Sequence, residues 1–264
     1  MTSTQDSLPR TAVPEQAVAA PAVRRVLAQA ELESKLILRH GEQLLLSLVL
    51  PVLLLIGLGT TGIMAALQVD LNGMQRLDMA TPGVLALCIV STAFTGQAIA
   101  TGFDRRYGVL RLLATTPLGR SGLLLGKIIA VLLVELVQVV VICGLAAVLG
   151  WRPHAEAFVP VVVTIVLGTT AFTGLGLLIA GTLRAEATLA GANLLWVLFL
   201  VGGGLVVPAN GALAQVADFL PSAALGNAMR AGMLGGNIPW LAWLILAVWA
   251  LGAGLATMKW FKWS

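Results

Sequence analysis

The sequence predicts an all-α polytopic membrane protein, and three observations carry that reading. Of 264 residues, 58% are hydrophobic and only 11% charged, where soluble domains carry about 25% charged residues; mean hydropathy is +0.95. Six runs reach the ~20 apolar residues that a helix needs to cross a hydrocarbon core about 30 Å thick. Lys and Arg concentrate in alternate connections between those runs.

Residues 1–21, rich in Ala, Pro, Ser and Thr, read as a disordered cytoplasmic tail. Over residues 22–43, Val26, Leu27, Ala30, Leu32, Leu36, Ile37 and Leu38 approximate helical spacing among Arg24, Arg25, Glu31, Glu33, Lys35 and Arg39. That pattern predicts an amphipathic interfacial helix along the inner leaflet, or more blandly a solvated helix leading into the membrane. A six-helix domain over residues 44–258 follows, with spans Leu44–Leu67, Gly83–Gly102, Ile128–Leu149, Ala157–Gly181, Ala187–Val207 and Pro239–Met258. The runs do not alternate apolar with polar as barrel strands do, so helices satisfy the backbone in lipid. Residues 259–264 form a short cytoplasmic end.

Orientation follows from the cations. Arg10, Arg24, Arg25, Lys35 and Arg39 precede the first span, and Arg105, Arg106, Arg111, Arg120 and Lys127 lie between the second and third. Arg184, Lys259 and Lys262 fall on the same side, leaving Arg76, Arg152 and Arg230 opposite. The positive-inside rule then places both termini in the cytoplasm. Trp260 and Trp263 suit the inner interface and Trp151, Trp240 and Trp243 the outer one.

Composition argues against several function classes. One tyrosine and 6% aromatics fit poorly with base-stacking modules, so no nucleic-acid partner is expected. The string Gly122-Leu-Leu-Leu-Gly126-Lys127-Ile128 is one residue short of a phosphate loop and lacks the hydroxyl after Lys127. His40 and His154 fall on opposite sides of the predicted membrane. Cys88 and Cys143 sit in apolar runs as small hydrophobes. No catalytic or metal site is expected, and the chain is not read as an enzyme.

Within the spans, Glu135 and Gln138 lie three apart and so on one helix face. Intramembrane ionisable groups face protein or a water-filled cavity, which leaves two roles open: lining a substrate path, or hydrogen-bonding helices together. Gly168, Gly174, Gly176, Gly181 and Gly202–Gly204 suit close helix packing. The segment Pro208–Ile238, with Pro221, Asn227 and Arg230, is too irregular to span and reads as short re-entrant or interfacial helices at the outer mouth. The segment Phe103–Leu118 predicts a short surface helix with Leu110, Leu113 and Ala114 on one face, ended by Pro117. That face would be an apolar patch available to a partner.

This loop carries a resemblance. Arg105-Arg106-Tyr107-Gly108-Val109-Leu110, then Leu113-Ala114-Thr115-Thr116-Pro117-Leu118 and Leu124-Leu125-Gly126-Lys127 resemble the loop after the second helix of type-two ATP-binding-cassette (ABC) exporter permeases. Pro221, Asn227, Ala228, Met229 and Arg230 are similar to that family's motif before the last helix. Arg106 and Arg111 stand where the family usually has acids, Val109 where it has Thr, and Asn227 where an acid is common. The resemblance implies the following. The chain is a cell-membrane permease subunit, paired with a second permease subunit, identical or paralogous. Two copies of a separate ABC ATPase subunit would hold ATP and magnesium and dock on an ATPase-coupling loop. That loop would comprise Tyr107, Gly108, Val109, Leu110, Arg111, Leu113 and Pro117, facing an acidic groove, with the helix of residues 22–43 beside it. The chain itself would bind no cofactor. An apolar path suits a hydrophobic or amphipathic cargo such as a drug, antibiotic or lipid. The competing class is an ATPase-independent secondary transporter or channel.

Overall fold

A computed structural model describes residues 20–39, 41–66, 73–206, 218–235 and 238–261. Nearly all of the expected tail, His40, Lys262 and Trp263 lie outside them. All regular structure among the described residues is helical. In chain order the helices are α1 (Ala22–Arg39), α2 (Gly41–Thr60), α3 (Ile63–Ala66) and α4 (Arg76–Ile89). A π-helical segment (Val90–Gly96) leads into α5 (Gln97–Arg106). Then come α6 (Val109–Ala114), α7 (Gly119–Val148), α8 (Phe158–Thr182), α9 (Ala185–Val201), α10 (Pro221–Gly235) and α11 (Trp240–Trp260).

Among the described residues, four helical stretches are long and apolar enough to cross a membrane: Arg76–Arg106, Gly119–Val148, Phe158–Thr182 and Trp240–Trp260; Ala185–Val201 is a shorter apolar helix, as is Ser47–Thr60, the part of α2 whose side chains are described. The first expected span, Leu44–Leu67, is interrupted near its end. Thr60 and Thr61 turn their hydroxyls back onto the Ile56 and Gly57 carbonyls, and the chain bends at Thr61–Gly62 before α3. The second and third begin earlier than their apolar runs. Gln75 and Asp78 form a capping box that starts α4 at Arg76, and residues 119–127 continue α7 as helix where a loop was expected.

The core is built around α8, which α11, α5, α10, α7 and the π-helical segment all contact. Small residues allow this. A Cβ on Gly176 would lie 2.7 Å from the Phe94 carbonyl oxygen, so only glycine lets α8 lie against the π-helical backbone. There Phe94, Phe172 and Phe199 pack edge to face, with centroids 5.5 to 6.3 Å apart. Outward, Leu241, Leu244, Val248, Leu251 and Leu255 form an exposed stripe along α11. An apolar stripe of that length is poorly tolerated in water and is native to hydrocarbon, which makes this a multi-pass membrane protein.

α1 packs on α7 through Gln29, Ala30, Glu33 and Ser34, while Leu27, Leu32 and Leu36 stay exposed. The polar side is buried because Gly126 of α7 offers a flat seat for Gln29, and because Glu33 finds a buried cation there.

Candidate functional site

At the end of the bundle where α8 terminates, the chain reverses at Gly108. Its φ of 79° lies in the left-handed region that glycine enters at no steric cost. The six residues of α6 follow. Leu110 is 0% exposed and joins Leu123, Leu177 and Phe261 in a small apolar cluster, with Leu113 partly buried against it. The expected docking face is corrected here: Leu110 points into the bundle and is closed to a partner. The exposed apolar side chains are Tyr107, at 74%, and Leu112, at 70%, with Val109 and Arg111 exposed beside them. Tyr107 stacks on Phe103 with ring centroids 6.2 Å apart. Pro117 is exposed, and its carbonyl accepts from Arg25, which ties the loop to α1.

Three of the arginines at this end are engaged by helix ends. Arg105 donates to the carbonyls of Ala180 (2.9 Å) and Leu183 (2.6 Å), which caps α8. Arg120 donates to the Met258 carbonyl near the end of α11 (2.7 Å), and Arg106 pairs with Glu186 at the start of α9. Free carbonyls at helix C-termini carry partial negative charge, so guanidinium groups stabilise them there. Lys127 is wholly buried. Its Nζ lies 2.7 Å from Glu33 Oε1 of α1 and 3.8 Å from Asp104 Oδ2 of α5, and Gln29 donates to Glu33 at 2.9 Å. Three elements thus meet on one ammonium group.

Deeper in the bundle, Glu135 and Gln138 are both buried. Glu135 Oε2 accepts from the Thr169 hydroxyl, joining α7 to α8. Gln138 exchanges hydrogen bonds with Thr92 of the π-helical segment (3.1 and 3.2 Å) and donates to the Ser47 carbonyl of α2 at 3.3 Å. Thr169→Val preserves shape but removes the donor from a buried carboxyl group, at an expected cost of about 1–3 kcal/mol, read as a lower melting temperature in detergent. Glu135→Gln keeps an acceptor for Thr169 and should melt close to wild type. An unchanged melting temperature for Thr169→Val would show that the bond contributes nothing.

At the opposite end of α8, the described residues of the segment Pro208–Ile238 include a 15-residue helix, α10, while residues 208–217, 236 and 237 lie outside the described residues. Pro221 opens it, where a missing N–H costs nothing. Arg230 is buried and donates to the carbonyls of Leu205 (3.0 Å) and Gly204 (2.8 Å) and to Asn227 Oδ1 (2.8 Å). Asn227 in turn donates to Asp218 at 3.3 Å. Arg230 therefore fastens α10 to the chain after α9.

The structure thus brings Tyr107, Gly108, Val109, Leu110, Arg111, Leu113 and Pro117 together at one end. Glu135 and Gln138 lie in the middle, and Pro221, Asn227 and Arg230 at the far end. Sequence reasoning missed Leu112, Phe261 and the Lys127 cluster. One signal for the last was present: Lys127 directly precedes an unbroken apolar run and follows Leu123-Leu124-Leu125-Gly126, an apolar setting on both sides. The family model for the ABC-2 type transporter matches residues 25–234. No curated protein sequence matches the chain.

Proposed function

The chain belongs to the ABC-2 type transporter family, the membrane subunits of type-2 ABC transporters, and we propose from that premise that it is the permease subunit of an ATP-driven exporter. Family members work with ABC ATPase partners. In this reading two copies of a separate ATPase bind ATP and magnesium, and a second permease subunit completes the path. The chain crosses the cytoplasmic membrane six times with both ends in the cytoplasm, α2 and α9 supplying the two shorter spans. The single observation that supports it best is α6, a short helix pinned from within by Leu110 and presenting Tyr107, Val109, Arg111 and Leu112 to the outside. A rigid knob with an apolar crest and a flanking cation suits an acidic-rimmed groove on an ATPase. The apolar side chains that dominate α7, α8 and α11 favour hydrophobic or amphipathic cargo.

The test is reconstitution in liposomes with a candidate ABC ATPase. Movement of an amphipathic dye should require that protein and ATP. Transport by the chain alone down an ion gradient would overturn the reading and establish a secondary transporter.

A further inference from the structure

We propose that the groove between α7 and α8 holds one acyl chain of a resident phospholipid, its phosphate at the level of Arg152 and His154. The inference uses only the membrane setting of these helices and stands apart from the exporter reading.

A cavity of about 760 Å³ lies between the two helices, within the ~300–1,000 Å³ typical of small-molecule sites. Leu132, Leu136 and Val139 of α7 form one wall and Val162, Ile165 and Val166 of α8 the other. Leu136 is 60% and Val162 42% exposed, so the groove is open sideways. Both helices are long and apolar enough to cross a membrane, so that opening faces lipid tails. From Leu132 to Cys143 the axis of α7 rises about 16 Å at 1.5 Å per residue. One leaflet contributes about half of a 30 Å hydrocarbon core, so the groove is one acyl chain deep.

Its two ends differ. Towards mid-bundle the walls remain hydrocarbon. At the other end Trp151 and His154 line the cavity, on the connector Trp151-Arg152-Pro153-His154 that joins α7 to α8. Trp151 is buried, and an indole at this depth belongs to the headgroup belt. Arg152 and His154 are exposed and supply N–H donors for a phosphate. Glu156, exposed one turn on, suits the ammonium of a zwitterionic headgroup. The chemistry shared by anionic and zwitterionic lipids is therefore the acyl chain and the phosphate. A helix from a second copy of the chain would have no use for phosphate donors at one end of the groove.

The experiment is native mass spectrometry of the full chain in maltoside, washed free of lipid and then given phosphatidylglycerol or, in a separate arm, phosphate-free diacylglycerol. The wild type should retain one phosphatidylglycerol per chain and hold diacylglycerol about fivefold more weakly, as expected for the loss of one cation–phosphate contact. Val162→Trp fills the groove and should abolish retention. The pair Arg152→Gln/His154→Gln, both on exposed residues, should weaken phosphatidylglycerol by about fivefold and leave diacylglycerol unchanged; it keeps the test standing if the tryptophan disturbs packing. Equal retention by Val162→Trp would overturn the site, and equal binding of the two lipids would overturn the phosphate assignment. Conversion of a dimer to a monomer by Val162→Trp with lipid unchanged would give the groove to a second copy instead.

Discussion

Leu112→Asp should weaken co-purification with the proposed ATPase roughly 30-fold while leaving the melting temperature unchanged, and Leu110→Ala should lower the melting temperature instead. The two residues are neighbours but one turns outward at 70% exposure and the other is sealed at 0%. An exposed side chain with no packing role changes stability by about 0.5 kcal/mol or less. As the apolar anchor of a docking surface, its loss costs about 2 kcal/mol of binding or more, a roughly 30-fold weaker complex. Leu110 instead fills the space between Leu123, Leu177 and Phe261, where Leu→Ala leaves a cavity costing about 2–5 kcal/mol. Melting temperature and pull-down together separate the cases. Leu112→Asp that keeps a full-strength complex would move docking away from α6.

The same contrast shows what the amino-acid pattern reveals and what it hides. The runs Ala157–Gly181 and Pro239–Met258 foretell α8 (Phe158–Thr182) and α11 (Trp240–Trp260) closely, because unbroken apolar length is a local signal. α6 was legible as a short helix from its leucines and Pro117. Its facing was not, because six residues make fewer than two turns and both Leu110 and Leu112 are apolar. What decides between them is Phe261, brought from the far end of the chain to sit against Gly181 and under α6. The cations were legible only in part, for a related reason. Counting Arg105, Arg106, Arg120 and Lys127 gives the orientation rule its signal, but the count says nothing of partners. Three of these four end on helix termini or a terminal carboxylate, and the fourth is buried. In α1 the helical spacing was legible, but not what its polar side packs against. Burial of Gln29 and Glu33 depends on Gly126 and Lys127, more than ninety residues downstream, and no window of local periodicity contains such a pair.

Lys127→Met should loosen α1 from α7 at the end of the bundle that carries α6. Lys127 Nζ is the shared counter-ion of Glu33 on α1 and Asp104 on α5, and α5 runs directly into the turn that precedes α6. Removing one partner of a buried ion pair costs about 3–5 kcal/mol, because the remaining charge stays desolvated. Here two carboxylates would be left facing each other. The expected result is loosening of α1 from α7, seen as faster amide exchange over residues 22–39. Glu33→Gln added to Lys127→Met removes the more deeply buried of the two stranded charges while keeping a hydrogen-bond partner for Gln29, and should recover much of the stability. A double-mutant cycle then isolates the pair. If the pair does more than hold α1 in place, the rescued double variant will be stable and will still bind the proposed ATPase, which will hydrolyse ATP without cargo moving. A double variant that regains transport in step with its melting temperature would confine Lys127 to holding the fold. Normal amide exchange in Lys127→Met alone would mean that α1 is fastened by other contacts, such as Arg25 to the Pro117 carbonyl.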